Sequence, residues 1–190
     1  MGITIRQARH EDTPHLERLI AASVRTLGAA YYTEEEIERA LVHVFGVDTQ
    51  LIEDGTYFVA EADGQIVGCG GWSRRKTLFG SDRAKGAAED SLLDPKHAAA
   101  RIRAFFVHPD WARRGIGARL LRVCEAAARE SGFDRAELAA TLPGEPLYTA
   151  AGYVEMQQID VDLRDGFILK IVHMGKDLAP HKGEQKCTDT

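Results

Sequence analysis

Phe105-Phe106-Val107-His108-Pro109-Asp110-Trp111-Ala112-Arg113-Arg114-Gly115-Ile116-Gly117-Ala118 is the stretch whose residue types and spacing bear most directly on chemistry. A mostly apolar run of strand length ends at a His-Pro turn and feeds a glycine loop. After the loop, Ile116, Leu120, Leu121, Val123, Cys124 and Ala127 recur at helical spacing. Glycines at 115 and 117 allow close backbone approach. The unpaired N–H groups of a helix start, with the macrodipole behind them, can face a phosphate. Arg113 and Arg114 add positive charge at the same point. Together these residues make an anion cradle. A bare Gly-x-Gly recurs by chance, and its plain alternative is an ordinary helix start with solvated arginines. A dinucleotide fingerprint needs a further glycine after Gly117, and its absence disfavours NAD.

The stretch resembles motif A of the GNAT acetyltransferase superfamily, in which a strand ending in a Val-x-Pro-like turn leads into Gln/Arg-x-x-Gly-x-Gly/Ala and a long helix. Residues 112–117 match at the glycines, with Ala112 where the family has Gln or Arg. Leu147-Tyr148-Thr149-Ala150-Ala151-Gly152-Tyr153 is similar to the family's motif B segment. The resemblance implies an α/β GNAT fold, a mixed central sheet of about seven strands with flanking helices. It also implies acetyl-CoA as co-substrate and no metal. It assigns Arg113, Arg114, Gly115, Ile116, Gly117 and Ala118 to the phosphates of coenzyme A. Phe105, Phe106 and Val107 are assigned to a splayed strand whose backbone binds pantetheine and the acetyl carbonyl. Thr141 stands where many relatives carry a cofactor-contacting Asn. Tyr148 becomes a cofactor contact and the candidate general acid for the leaving thiolate, against packing as its alternative.

Amine acetylation needs a neutral nucleophile, so a carboxylate commonly helps remove the proton. Glu137 is the leading candidate and Glu145 the second. Tyr31 and Tyr32 fall in the region that shapes the acceptor pocket in the family, with simple packing as the alternative. His108, in its Val-His-Pro turn, reads as an exposed or structural residue, and Cys69 and Cys124 sit on apolar elements as core residues.

The elements that must position these residues begin with an alternating strand at Ile3–Ala8. A helix follows, which Asp12 is placed to cap, with Leu16, Leu19, Ile20 and Val24 on its apolar face. Gly28 interrupts it, and Thr33-Glu34-Glu35-Glu36 has the spacing of a capping box for a second helix over 34–44. Asp63-Gly64 between two apolar runs predicts a hairpin, and residues 73–100 read mostly as an irregular hydrophilic insertion. Strands over 102–107 and 135–141 flank the glycine-loop helix, which Gly132 stops. A short helix lies near 147–151, and strands over 153–163 and 167–174 surround Arg164-Asp165-Gly166. The expectation is one domain over 1–178 and a disordered tail over 179–190.

The net charge of −5 offers no global basic field for nucleic acid or an acidic membrane. Three scattered cysteines suggest a reducing cytoplasm, and the polar start and lack of a long apolar segment suggest a soluble, unprocessed chain. The function expected is acetyl transfer from acetyl-CoA to a primary amine, with a small-molecule amine as partner, neither membrane nor nucleic acid, and a homodimer left open. The alternatives are a non-catalytic acyl-CoA-binding module and a protein N-acetyltransferase.

Overall fold

The computed structural model describes residues 2–84 and 91–178. The expected tail at 179–190 and part of the 74–100 insertion lie outside the described residues. Seven strands form one sheet: β1 Thr4–Gln7, β2 Tyr57–Ala62, β3 Gln65–Ser73, β4 Ala100–Val107, β5 Arg135–Thr141, β6 Val154–Asp162 and β7 Ile168–Asp177, in spatial order β1-β2-β3-β4-β5-β7-β6. The helices are α1 Thr13–Gly28, α2 Glu34–His43, α3 Thr49–Glu53, α4 Ile116–Glu130 and α5 Glu145–Ala150. Every neighbouring pair is antiparallel except β4 and β5, which run parallel and need α4 as their crossover.

Helical spacing sends Leu16, Leu19 and Ile20 of α1 and Ile37 and Leu41 of α2 onto one sheet face with Val59 and Cys69. On the other face, Leu121, Cys124 and Ala128 of α4 pack on Ala136, Leu138 and Ala140, the alternating inward residues of β5. Thr33 caps α2 as expected: its Oγ1 accepts from Glu36 N at 3.3 Å and its own N–H donates to the Glu36 carboxylate at 2.8 Å. Asp63 and Gly64 both take positive φ, the tight hairpin turn. Asp12 departs from expectation. A 3-10 turn at His10–Asp12 precedes α1, so Asp12 is already helical and gives α1 no side-chain cap. Its carboxylate instead accepts from Arg9 N at 2.8 Å and from the Arg6 guanidinium at 2.7 and 2.9 Å. Among the described residues no helix is long and apolar enough to cross a membrane.

Candidate functional site

The parallel pair β4/β5 is short. Only Ala100–Ile102 pair with Ala136–Leu138, although β4 runs on to Val107 and β5 to Thr141. Beyond Ile102 the strands part, and the backbone groups of β4 that face β5 have no ladder partner there. A bulge turns β4 away: Ala104 has φ 56°, and the register with β3 shifts between Cys69 and Gly71. A non-glycine residue in this region costs about 1–2 kcal/mol. Buried hydrogen bonds hold it there. The Tyr57 hydroxyl, 3.3 Å from Cys69 Sγ, donates to the Ala104 carbonyl at 3.4 Å, and the thiol reaches the same carbonyl at 3.7 Å. Burial pushes the thiol up to about 12 and raises the phenol well above its ordinary range, so both remain protonated.

Beside this wedge, α4 starts on two left-handed residues, Arg113 at φ 64° and Gly115 at φ 77°. Arg119 N donates to Gly115 O at 3.0 Å, which leaves the N–H groups of Ile116, Gly117 and Ala118 without intrahelical acceptors. A side chain at Gly115 would meet no protein atom within 4 Å, so the loop is open above it. Gly117 serves differently: a Cβ there would lie 3.0 Å from Leu147 Cδ2, so this glycine lets α5 pack close. Arg113 lines the cavity next to the loop, whereas Arg114 is stacked over the Trp111 ring at 4.7 Å and is not among the lining residues described.

The glycines of β3 explain how the cradle comes so near the sheet. A Cβ at Gly68 would be 2.7 Å from Ile116 Cγ2, and one at Gly70 would be 2.7 Å from the Phe105 ring. The run Gly68-Cys69-Gly70-Gly71 was the available signal, because glycine inside a strand often marks close approach of another backbone or ring.

Wedge and cradle open into one cavity of about 590 Å³, within the size range of small-molecule sites. Phe105, Phe106, Val107, Gly115, Ile116, Gly117, Ala118, Thr141, Tyr148 and Tyr32 all line it. Tyr148, 7% exposed, packs edge-on between Phe105 and Tyr153 at centroid distances of 6.1 and 5.9 Å. Burial raises its phenol above the ordinary value, which keeps it protonated. The Tyr32 hydroxyl donates to Lys170 O at 2.7 Å and accepts from Leu142 N at 2.8 Å, tying the turn after α1 to β7 and to the end of β5. Burial pushes its phenol up to about 12.

Other expected residues lie elsewhere. Tyr31 is 51% exposed and is not among the lining residues. Glu137 is paired with Arg101 and sits 3.0 Å from His173 Nε2, held by neighbouring strands away from the lining. Glu145 is the first residue of α5 and is likewise absent from the lining described. His108 Nδ1 accepts from Asp110 N at 3.3 Å, capping a 3-10 turn. Cys69 and Cys124 are buried free thiols.

Sequence reasoning missed Arg103, Phe45, Leu78 and Phe79, which also line the cavity and come from elements other than α4. Arg103 is bound through Nη2 to Asp48 Oδ2 at 2.8 Å, with side chains 2% and 0% exposed, and also donates to Gly80 O. Nothing in the spacing of residues 48, 80 and 103 announces that they meet.

The acetyltransferase (GNAT) domain family matches residues 53–155, more than half of the chain. No curated protein sequence matches significantly. Among solved structures, the chain is similar to the GCN5-related N-acetyltransferase from Rhodopseudomonas palustris, at 23% identity over 93% of this chain and 96% of that one, TM-score 0.66. It is similar to yncA from Salmonella typhimurium with its cofactor acetyl-CoA, at 18% identity over 98% and 100%, TM-score 0.64. It is also similar to the PaiA N-acetyltransferase from Thermoplasma acidophilum in complex with coenzyme A, at 17% identity over 93% and 99%, TM-score 0.61. At these identities the likeness is one of fold.

Proposed function

Because the chain belongs to the GNAT acetyltransferase family, we propose that it moves the acetyl group of acetyl-CoA onto a primary amine of a small molecule, by direct attack of the amine on the thioester. One observation carries this reading: a single cavity is lined both by the N–H cradle at the start of α4 and by the wedge between β4 and β5, and also by Phe45, Leu78 and Phe79. A donor with a pyrophosphate at one end and a reactive thioester at the other fits that shape, and the acceptor enters from the far end. The structural likeness to proteins solved with acetyl-CoA and coenzyme A supports the same donor.

In this reading the N–H groups of Ile116, Gly117 and Ala118, with Arg113 beside them, take the pyrophosphate. The unpaired backbone of β4 around Phe105–Val107 orients the pantetheine and offers donors to the acetyl oxygen. Tyr148, a phenol protonated at neutral pH, donates a hydrogen bond to the sulfur as it leaves. Acetyl-CoA itself supplies the activated acyl group. Arg114, stacked on Trp111, completes the positive rim at the cradle. The free thiols Cys69 and Cys124 fit a reducing cytoplasm.

The test measures CoA release with a panel of amines, together with thermal unfolding. Acetyl-CoA at a hundredfold excess over its dissociation constant stabilises the fold by about 2.7 kcal/mol, and NAD gives no shift. No shift with acetyl-CoA removes the donor assignment. A shift without turnover of any amine reduces the protein to a CoA-binding module.

A further inference from the structure

The far end of the cavity has a composition that bears on the acceptor. Its walls are Val24 and Leu27 of α1, Tyr32, Phe45 after α2, and Leu78 and Phe79 of the segment after β3. Phe45 stands edge-on to Phe106 at 5.9 Å, so an aromatic wall runs from this end to the wedge where the thioester is placed. Of the polar side chains here, Tyr32, Ser81 and Arg103 are engaged within the protein, and Ser23 also lines the cavity. Both hydrogen-bonding roles of the Tyr32 hydroxyl are taken by backbone. Ser81 Oγ accepts from Arg83 N at 3.2 Å. Arg103 is neutralised by the fully buried Asp48, which lies behind it and off the lining. Among the described residues, no Asp, Glu, His or Lys lines the cavity; the titratable groups that face it are Arg103, Arg113, Tyr32 and Tyr148.

An ammonium entering such a place gives up its hydration shell, meets no anion among the described residues, and lies beside an Arg103 already paired with Asp48. A carboxylate would meet an Arg103 whose charge Asp48 already neutralises. An uncharged ring loses little water and meets aromatic edges and faces. Resting on the acetyl-transfer reading above, we infer that the acceptor is an aromatic primary amine that is uncharged at neutral pH, an aniline-type amine rather than a polyamine, an aminoglycoside or an amino acid.

The inference also accounts for Glu137 standing off the lining. An aniline-type nitrogen carries its lone pair free at neutral pH, so no base is needed before attack. The nitrogen forms the C–N bond to the acetyl carbon, the C–S bond breaks, and the proton shed by the nitrogen balances the one taken up by the CoA sulfur. The products are the N-acetylated ring amine and free CoA.

The test compares two isomers of one size, 4-methylaniline and benzylamine, with spermidine as a third acceptor, by kcat/KM for CoA release from the wild-type enzyme with acetyl-CoA. An aliphatic ammonium of pKa ~10.4 is neutral in only about one part in 10³ at pH 7. At that pH 4-methylaniline is expected to exceed benzylamine by at least ~10-fold. Benzylamine should then rise about tenfold per pH unit up to about pH 9, while 4-methylaniline stays flat. Val24→Asp, which puts a carboxylate on the wall, should shift the ratio toward benzylamine; if that variant does not fold, the wild-type comparison still decides. Faster turnover of benzylamine or spermidine at pH 7 overturns the inference and leaves acetyl transfer standing. Turnover of none of the three, while amines of other classes are acetylated, also overturns it. Binding of acetyl-CoA with no amine acetylated overturns the acetyl-transfer reading itself.

Discussion

Replacing Tyr148 by Phe removes one oxygen from the cavity wall and little else. The ring sits between Phe105 and Tyr153 in edge-on contacts at 6.1 and 5.9 Å, both of which a phenyl ring keeps. No protein hydrogen bond from the hydroxyl is found among the described residues, so its loss leaves no described partner stranded. The change in stability should stay within about 0.5 kcal/mol. On the proposed mechanism, what is lost is the donor to the departing sulfur. General acid catalysis contributes ~10²–10⁴-fold, and a thiolate leaves more readily than an alkoxide, so the low end applies. A ~10²-fold fall in kcat corresponds to about 2.7 kcal/mol on the barrier, several times the stability change. The assay is single-turnover and steady-state CoA release with matched thermal unfolding and acetyl-CoA titration. A kcat within about twofold of wild type would return Tyr148 to a packing role. Weaker acetyl-CoA binding with an unchanged kcat would make it a binding residue.

Three further outcomes follow from particular contacts. Gly115→Ala puts a side chain at φ 77° where no protein atom lies within 4 Å; it should cost about 1–2 kcal/mol of stability and weaken CoA binding further, read by calorimetry, and unchanged affinity would move the phosphate site. Gly70→Val drives a Cβ to 2.7 Å from the Phe105 ring and should destabilise by about 1–3 kcal/mol in urea, whereas a neutral effect would contradict the close approach of Phe105 to β3. Burial raises the phenols of Tyr32, Tyr57, Tyr148 and Tyr153 and the thiols of Cys69 and Cys124. The folded state therefore holds protons that the unfolded chain has released above pH ~8.5 for thiols and ~10 for phenols, and stability falls with rising pH by up to about 1.4 kcal/mol per group per pH unit. Urea midpoints should agree near about pH 7 and 8 and drop steeply above about pH 10; a flat profile to about pH 11 would contradict the burial of these groups.

The elements legible in the sequence were those with a strong local cause. Thr33–Glu36 announced α2 through its capping box, Asp63-Gly64 its hairpin, and the apolar stripe from Ile116 the helix α4. Where local signals were weak, the reading fell short. The run Ile66–Cys69 extends in fact to Ser73, because Gly68, Gly70 and Gly71 break the alternation that marks a strand. Helix α3 spans five residues, too few for periodicity to register. The site shows the same division. The cradle is contiguous in sequence and could be read there. The aromatic end of the cavity is assembled from α1, the turn after it, and segments near residues 45, 79 and 103, a meeting set by tertiary packing alone. Glu137 could be read as a candidate base from its place on the strand after α4, whereas its cross-strand pairing with Arg101 and His173 could not.

The most direct measurement is a crystal structure with acetyl-CoA bound. The account predicts pyrophosphate oxygens at about 2.7–3.2 Å from the N–H groups of Ile116, Gly117 and Ala118, the pantetheine running between β4 and β5, and the thioester sulfur beside the Tyr148 hydroxyl. Pyrophosphate bound away from the start of α4, or a thioester outside the β4–β5 wedge, would contradict it.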